Sequence, residues 1–372
     1  MSEIPLCIPE IGKDEVRAVE EVLLSGWLAH GEKNKEFEEQ FRVFVNTDYA
    51  VSMNSCTSAL YVALLGMGIR GEVIVPSFTF VASVNAIMVA GAEPVLVDIE
   101  RSSRNIDPKH IRAAVTDRTE AIMVVHYGGL PANMPEIIQI AEEHGLRVIE
   151  DSAECLGGRW HDNVAGGYDV GCFSFFPTKN VVTGEGGMLT TNDEEVARKA
   201  KALCGHGIDS TTFARERQEK PWVRIASMAG FNFRMSNVLA AIGVEQMKRL
   251  SKFNEARSKL AERYCQRLAT VENVELQSIP SQFESSWQMF TILVPSRFRD
   301  QVLKSLRDNG VYASVHFAPP VHLQPPYRSL KRGPLEVTEH VASEIITLPM
   351  YAGMKLSDVD RVCDLIELAN LT

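Results

Sequence analysis

Lys179 lies between the aromatic pair Phe175-Phe176 and the glycine-rich run Thr183-Gly184-Glu185-Gly186-Gly187. Upstream, the apolar run Leu146-Arg147-Val148-Ile149-Glu150-Asp151 ends in a carboxylate. A lysine amine is a poor nucleophile while protonated. Partial burial disfavours the ammonium and fits the residue for Schiff-base chemistry. A carboxylate at a strand end can hold a protonated pyridine nitrogen. Together the two residues suggest pyridoxal phosphate (PLP) carried as an imine on Lys179. Taken singly, each has a plainer explanation: a solvated lysine beside a turn, and a helix N-cap after a strand.

Three further segments extend the pattern. Asn54-Ser55-Cys56-Thr57-Ser58-Ala59-Leu60 runs into an apolar periodic stretch and reads as a loop entering a helix. Small hydroxyl residues at a helix start cap free N–H groups, and the same place favours an anion. The segment is therefore either a simple cap or a phosphate cradle built from Thr57 and Ser58. Residues 73–80 form a short apolar run ending in the aromatics Phe78 and Phe80. Gly230-Phe231-Asn232-Phe233-Arg234-Met235 precedes a helix with small residues on one face.

In this order and spacing, with Ser25-Gly26-Trp27-Leu28-Ala29-His30-Gly31 near the start and Leu348-Pro349-Met350-Tyr351 near the end, the chain resembles a known family. It is similar to the nucleotide-sugar aminotransferases of the DegT/DnrJ/EryC1/StrS family, a branch of the fold-type I PLP enzymes. The resemblance spans nearly the whole chain. It implies that Lys179 carries the cofactor and later acts as general base, moving a proton between the substrate Cα and the cofactor C4′. It implies that Asp151 keeps the pyridine nitrogen protonated, so that the ring serves as an electron sink. Ser174, Thr57 and Ser58 match phosphate-binding positions, and Phe80 matches the aromatic stacked on the ring. Asn232 matches an asparagine that reaches the neighbouring subunit's cofactor, which implies a homodimer with shared sites.

One position departs from the pattern. Many relatives carry Asp-x-x-Gln, whose glutamine bonds the cofactor O3′, whereas this chain reads Asp151-Ser152-Ala153-Glu154. A carboxylate facing a phenolate is a like-charge contact, so one partner holds a proton or Glu154 turns away. His126, His316, His322 and Tyr327 fall where relatives contact substrate or shape the site, and each also reads as an ordinary structural group.

The implied reaction is ping-pong transfer of an amino group from L-glutamate to a nucleotide-linked keto-sugar. Val125-His126-Tyr127-Gly128-Gly129 and the 183–187 turn look more like members that aminate C4 of a 4-keto-6-deoxy sugar; C3 amination is the alternative. The sugar 3-dehydratase branch replaces the lysine by histidine or holds an iron–sulfur cluster on cysteines, and neither matches. A non-catalytic binding or regulatory relative would be expected to have lost Lys179 or Asp151. The nucleotide, the sugar and the pathway are not legible in the sequence.

Composition agrees with a globular enzyme. The 372 residues, 45% apolar and 23% charged, suffice for two domains with a large core. A formal net charge of −10 argues against a general nucleic-acid binder. Cys7, Cys56, Cys155, Cys172, Cys204, Cys265 and Cys363 are scattered without a CxxC pair, which suits a reducing cytosol and gives no metal signature. The nine histidines show no HExxH spacing. No signal peptide or membrane-length apolar run is evident, so a cytoplasmic location is expected.

These residues need a scaffold. Helical periodicity covers 13–24, with Val16, Val19, Val22 and Leu23 on one face, and 36–44. Strand candidates follow at 49–53, 72–75, 93–97, 119–125, 146–150, 170–174 and 187–191, with helices between most of them. That alternation predicts an α/β fold: a mostly parallel sheet flanked by helices, with ligands at the carboxyl ends of the strands. Residues 205–229 are polar and aperiodic, and are expected to reach across a subunit boundary. A large PLP-binding domain is expected over 1–250. A smaller α/β domain is expected over 251–372, with strands at 287–294 and 312–316 and helices at 254–270, 299–309 and 358–369.

Overall fold

Short apolar strands buried on both faces build a seven-stranded sheet in the computed structural model, which describes residues 3–208, 222 and 224–369. Two helices come first: α1 (Lys13–Ser25) and α2 (Glu32–Val45). The strands then alternate with helices: β1 (Tyr49–Met53), α3 (Cys56–Met67), β2 (Glu72–Pro76), α4 (Val81–Val89), β3 (Glu93–Val97), α5 (Pro108–Ala114), β4 (Thr119–Val125), α6 (Met134–His144) and β5 (Arg147–Asp151). After the short pieces β6 (Arg159–Trp160) and β7 (Asn163–Val164) come β8 (Val170–Ser174), β9 (Gly187–Thr191) and α7 (Glu194–Cys204). The strand order is β1-β9-β8-β5-β4-β2-β3. β9 runs against both its neighbours, and the other pairings in the sheet are parallel. Runs such as Glu72–Pro76, fully buried, carry the continuous apolar signature of a parallel sheet with both faces covered.

After α8 (Asn237–Met247), the long helix α9 (Leu250–Leu268) leads into a second, antiparallel sheet. It is formed by β10 (Glu275–Leu276), β12 (Phe290–Leu293) and β13 (Ile345–Leu348). The strand β11 (Phe283–Glu284) instead joins β6 and β7 of the first part. Helices α10 (Ser296–Asp308), α11 (Glu336–Glu344) and α12 (Leu356–Leu368) complete this part. The chain crosses between the two layers more than once. Ile4 pairs with Val311 and packs in the second core, while Val321, Tyr327 and Leu335 pack against α3 and α4 in the first.

Several sequence expectations change. In α1 the buried face is Glu15, Ala18 and Val22, whereas Val16 and Leu23 are exposed. Glu15 is drawn inward because its carboxylate accepts from the backbone N–H of Gly12 (2.8 Å) and from the Gln246 amide (2.7 Å), and pairs with Arg249. The expected strand at 312–316 does not form. Isolated bridges from Val311 to Ile4 and from Ser314 to Thr347 hold that stretch instead. The 205–229 loop lies largely outside the described residues.

One glycine fixes a close approach that the site depends on. Gly187 opens β9 opposite Met53, and a Cβ there would sit 2.3 Å from the carbonyl carbon of Ser55. The neighbour is backbone at the start of α3 and cannot swing away. Gly187→Ala is expected to cost about 1–3 kcal/mol, the usual penalty of overpacking, read as a lowered denaturant midpoint with an unchanged slope.

Candidate active site

A cavity of about 430 Å³ opens at the carboxyl ends of β4, β5 and β8, beside the N-terminus of α3. Its volume is that of a small-molecule site. Asp151, the last residue of β5, lies at the wall and is only 6% exposed. Its Oδ2 accepts from the Ser83 hydroxyl at 2.7 Å, and its Oδ1 accepts from the Ala153 N–H at 3.2 Å. Burial pushes this carboxyl above its ordinary value; the Ser83 and Ala153 hydrogen bonds oppose the shift, nearby Glu154 adds to it and Lys179 opposes it.

Lys179 enters from the loop after β8. Its Nζ stands 3.5 Å from Glu154 Oε1, and the two side chains are 16% and 8% exposed. The loop is clamped from several directions. The Asn180 amide donates to Asn254 Oδ1 (2.7 Å) and to the Ser286 carbonyl (2.9 Å), and the Gln288 amide donates to the Thr178 carbonyl (3.0 Å). The second sheet's layer thus positions a lysine that the first layer supplies. Arg257, buried on α9, stiffens that layer by donating to the carbonyls of Trp287, Gln288 and Met350.

The start of α3 provides the hydroxyl cluster. Ser55 caps the helix, its Oγ accepting from the Ser58 N–H at 3.1 Å. The Ser58 hydroxyl is committed to Asn54 Oδ1 (2.7 Å), so Ser58 stays outside the cavity while Ser55 and Thr57 line it. Ser174 lines the opposite side. Phe80 lines the cavity and is 60% exposed, an apolar ring held without cover. His316 also lines it, with Nδ1 3.0 Å from Thr347 Oγ1. Burial lowers the His316 titration, Glu154 opposes this and Lys179 adds to it, so the ring is neutral at neutral pH.

Three of the proposed substrate contacts lie elsewhere. His126 is fully buried between the backbone N–H of Ala132, which donates to its Nδ1 (3.1 Å), and Glu150, 2.9 Å from its Nε2. That arrangement places its proton on Nε2. Consecutive strand residues face opposite sides, so a partner of Glu150 stands on the other face of the sheet from Asp151. His322 is buried against Ser77 (2.7 Å) and Glu339 (3.1 Å), and the Tyr327 hydroxyl donates to Asn85 (2.7 Å). These contacts tie the segment after residue 320 onto the first sheet's layer. Asn232 does not line its own chain's cavity; its Oδ1 accepts from Arg234 Nε at 3.0 Å.

Sequence reasoning missed Ser83, Gln288 and Thr347. Ser83 was within reach, since it stands one turn beyond Phe80 on α4. Gln288 and Thr347 carry no local signal; only the tertiary fold brings them to Lys179 and His316.

The donor set fits PLP. It offers a buried acid for a ring nitrogen, an amine on a clamped loop and an uncovered aromatic face. A capped helix start with neighbouring hydroxyls can take the phosphate. In addition, the buried Gln288 Oε1 at the cavity has no partner among the described residues. The profile of the DegT/DnrJ/EryC1/StrS aminotransferase family matches residues 9–367. The chain belongs to that family. The aminotransferase is 36% identical to the spore coat polysaccharide biosynthesis protein SpsC of Bacillus subtilis, over 98% of this chain and 96% of SpsC. The crystal structure of S. venezuelae DesV in complex with a ketimine intermediate superposes with a TM-score of 0.91 at 32% identity, covering 100% of this chain and 99% of DesV. DesI, solved in the presence of its TDP-sugar product, gives a TM-score of 0.89 at 30% identity, covering 99% of this chain and 93% of DesI. The fold is that of the fold-type I enzymes, and the protein is a PLP-dependent transaminase. Among the described residues, no helix is long and apolar enough to cross a membrane.

The Asp151 environment sets a pH dependence for the cofactor-free aminotransferase. Its carboxyl titrates higher when folded than when unfolded, so the folded state keeps the proton longer. The group therefore costs stability as the pH rises from the ordinary carboxylate range through the folded value. Cofactor-free Asp151→Asn is expected to melt above the wild type at about pH 7.5, with the gap closing as the pH falls below about 4, where the unfolded carboxyl also takes up its proton. Thermal unfolding across that range checks the sign.

Proposed function

We propose that this transaminase moves the amino group of L-glutamate to C4 of a nucleotide-linked 4-keto-6-deoxy sugar in a ping-pong cycle. The observation that carries the reading is the convergence of Lys179, Asp151 and the α3 N-terminus on one cavity. When bound there, PLP supplies an electron sink for a carbanion next to nitrogen. Lys179 is the residue that would anchor it, and its amine is placed to move a proton to and from the substrate carbon. Asp151 would hold the ring nitrogen protonated, its burial cost offset by the opposite charge. Thr57 and Ser174, with Ser58 acting through the cap, would hold its phosphate, and Phe80 and Glu154 would line the place of its ring.

His316 is the histidine we assign to substrate, since it lines the cavity. The nucleotide-sugar class is supported by DesI, solved with a TDP-sugar product, and a role in surface polysaccharide synthesis by SpsC. The free cysteines support the cytoplasm as the location.

Borohydride should fix the cofactor on Lys179, as located by peptide mapping; an adduct on another lysine overturns the assignment. Lys179→Ala should lose turnover. Asp151→Asn should bind PLP yet turn over at least about a hundredfold more slowly, the size usual for removing one electrostatic partner. Incubating glutamate with TDP-, UDP- and GDP-linked keto-sugars and locating the new amine by NMR separates C4 from C3 amination.

We further propose a homodimer in which Asn232 serves the partner's cofactor phosphate. The match of the Gly230–Met235 segment to the family's asparagine position supports this. Two-fold symmetry would then give two equivalent shared sites. Co-expressing inactive Lys179→Ala with an impaired Asn232→Ala chain should restore activity to as many as half the sites in each hybrid. Verified hybrids without recovery, or a fully active monomer in sedimentation, would sink the shared site.

A further inference from the structure

Glu154 has a geometry that the cofactor roles above do not explain. One carboxylate oxygen, Oε2, accepts the Gly128 N–H at 3.2 Å, which fixes the group in place. The other, Oε1, is aimed at Lys179 Nζ, 3.5 Å away. Gly128 can present its N–H in this way because it sits in the left-handed region, with φ +66.

The surrounding titratable groups do not compete for the role of Lys179. Asp151, at the end of β5 just before this turn, is another acid, whose burial favours its neutral form. Burial holds Tyr127 and Cys155 in their neutral forms, and it lowers His316. Lys179 is therefore, among the described residues, the one positive charge that this carboxylate faces within the cavity. Asp151, by contrast, is committed to Ser83, to Ala153 and, on the reading above, to the ring nitrogen.

We propose that Glu154 is the fixed anionic counter-charge of the Lys179 nitrogen, both in the cofactor-free protein and, if the PLP reading of the site holds, in the Schiff base formed there. When an ammonium condenses with an aldehyde, the C=N bond forms, the carbonyl oxygen leaves as water and the remaining proton stays on nitrogen. A carboxylate already beside that nitrogen stabilises the protonated product without moving. The consequence is a cofactor whose imine keeps its proton to higher pH. An opposite charge at this range shifts a titration by about one to three pH units.

Glu154→Gln is the informative substitution, because its amide oxygen can still accept the Gly128 N–H. Glu154→Asp, which keeps the charge on a shorter arm, is the second variant. In cofactor-free protein, Lys179 acetylation by acetic anhydride at about pH 8 would be followed by peptide mass spectrometry, with exposed Lys304 as internal reference. Labelling of Lys179 in Glu154→Gln should be roughly tenfold faster than in wild type, because the facing charge that favours the ammonium is gone. Glu154→Asp should fall between the two. Equal labelling in wild type and Glu154→Gln overturns the proposal, whatever the cofactor does.

In PLP-loaded protein, the midpoint of the visible-band pH titration should drop by about one to three units in Glu154→Gln. An unchanged or raised midpoint overturns the extension to the Schiff base. If the wild type takes up no PLP at Lys179, the functional reading fails, while the labelling result still decides the role of Glu154.

Discussion

The buried carboxylate at the end of β5 is the constraint on which the rest of the site turns. Asp151 lies nearly inaccessible, and its hydrogen bonds come from the hydroxyl of Ser83, the N–H of Ala153 and the thiol of Cys56. Neutral donors do not fully repay the desolvation of a charge. The cofactor-free protein therefore carries an acid that is poorly matched to its surroundings and well matched to a cation. Stability is given up at a place where a ligand's positive charge restores it, a common arrangement at functional sites. The sheet makes this possible, because parallel pairing with β4 and β8 holds the end of β5 rigidly inside the fold.

The lysine obeys a different logic. Its loop belongs to the first layer, but Asn254, Ser286 and Gln288 of the second layer set its position. Behind those residues stands Arg257, a buried guanidinium whose hydrogen bonds go to backbone carbonyls. Each such bond is modest, but an unpaired buried partner is costly. The cluster therefore resists partial disruption. A change in how the two layers pack would move the amine relative to the acid, and so couples the site to the whole molecule.

Much of this was legible in the sequence. The seven central strands fall within a residue of the places where apolar runs predict them, because a strand buried on both faces leaves an uninterrupted signature. Lys179, Asp151, Phe80, Ser174, Thr57, Glu154 and His316 do meet at one cavity. What the sequence hid was orientation. Ser58 is one residue from Thr57 yet turns to Asn54, since neighbours on a helix do not share a face. His126 and His322 look like site histidines in sequence, but their partners, Glu150 and Glu339, are fixed only by the fold. The face of α1 was misjudged because a buried carboxylate, Glu15, displaced the expected valine stripe.

Glu150 and Asp151 are adjacent acids with opposite duties. Glu150 receives the N–H groups of Gly166 and Tyr168 together with His126, while its neighbour faces the cavity. A slip of β5 by one position would exchange the two, leaving three donors without an acceptor on one side and removing the charge from the other. The misregistered strand would lose on both faces at once. The polar groups behind the sheet thus act as a proofreading device for the catalytic face. An evolutionary change of chemistry on this scaffold can alter Asp151 freely only while Glu150 keeps the strand's place.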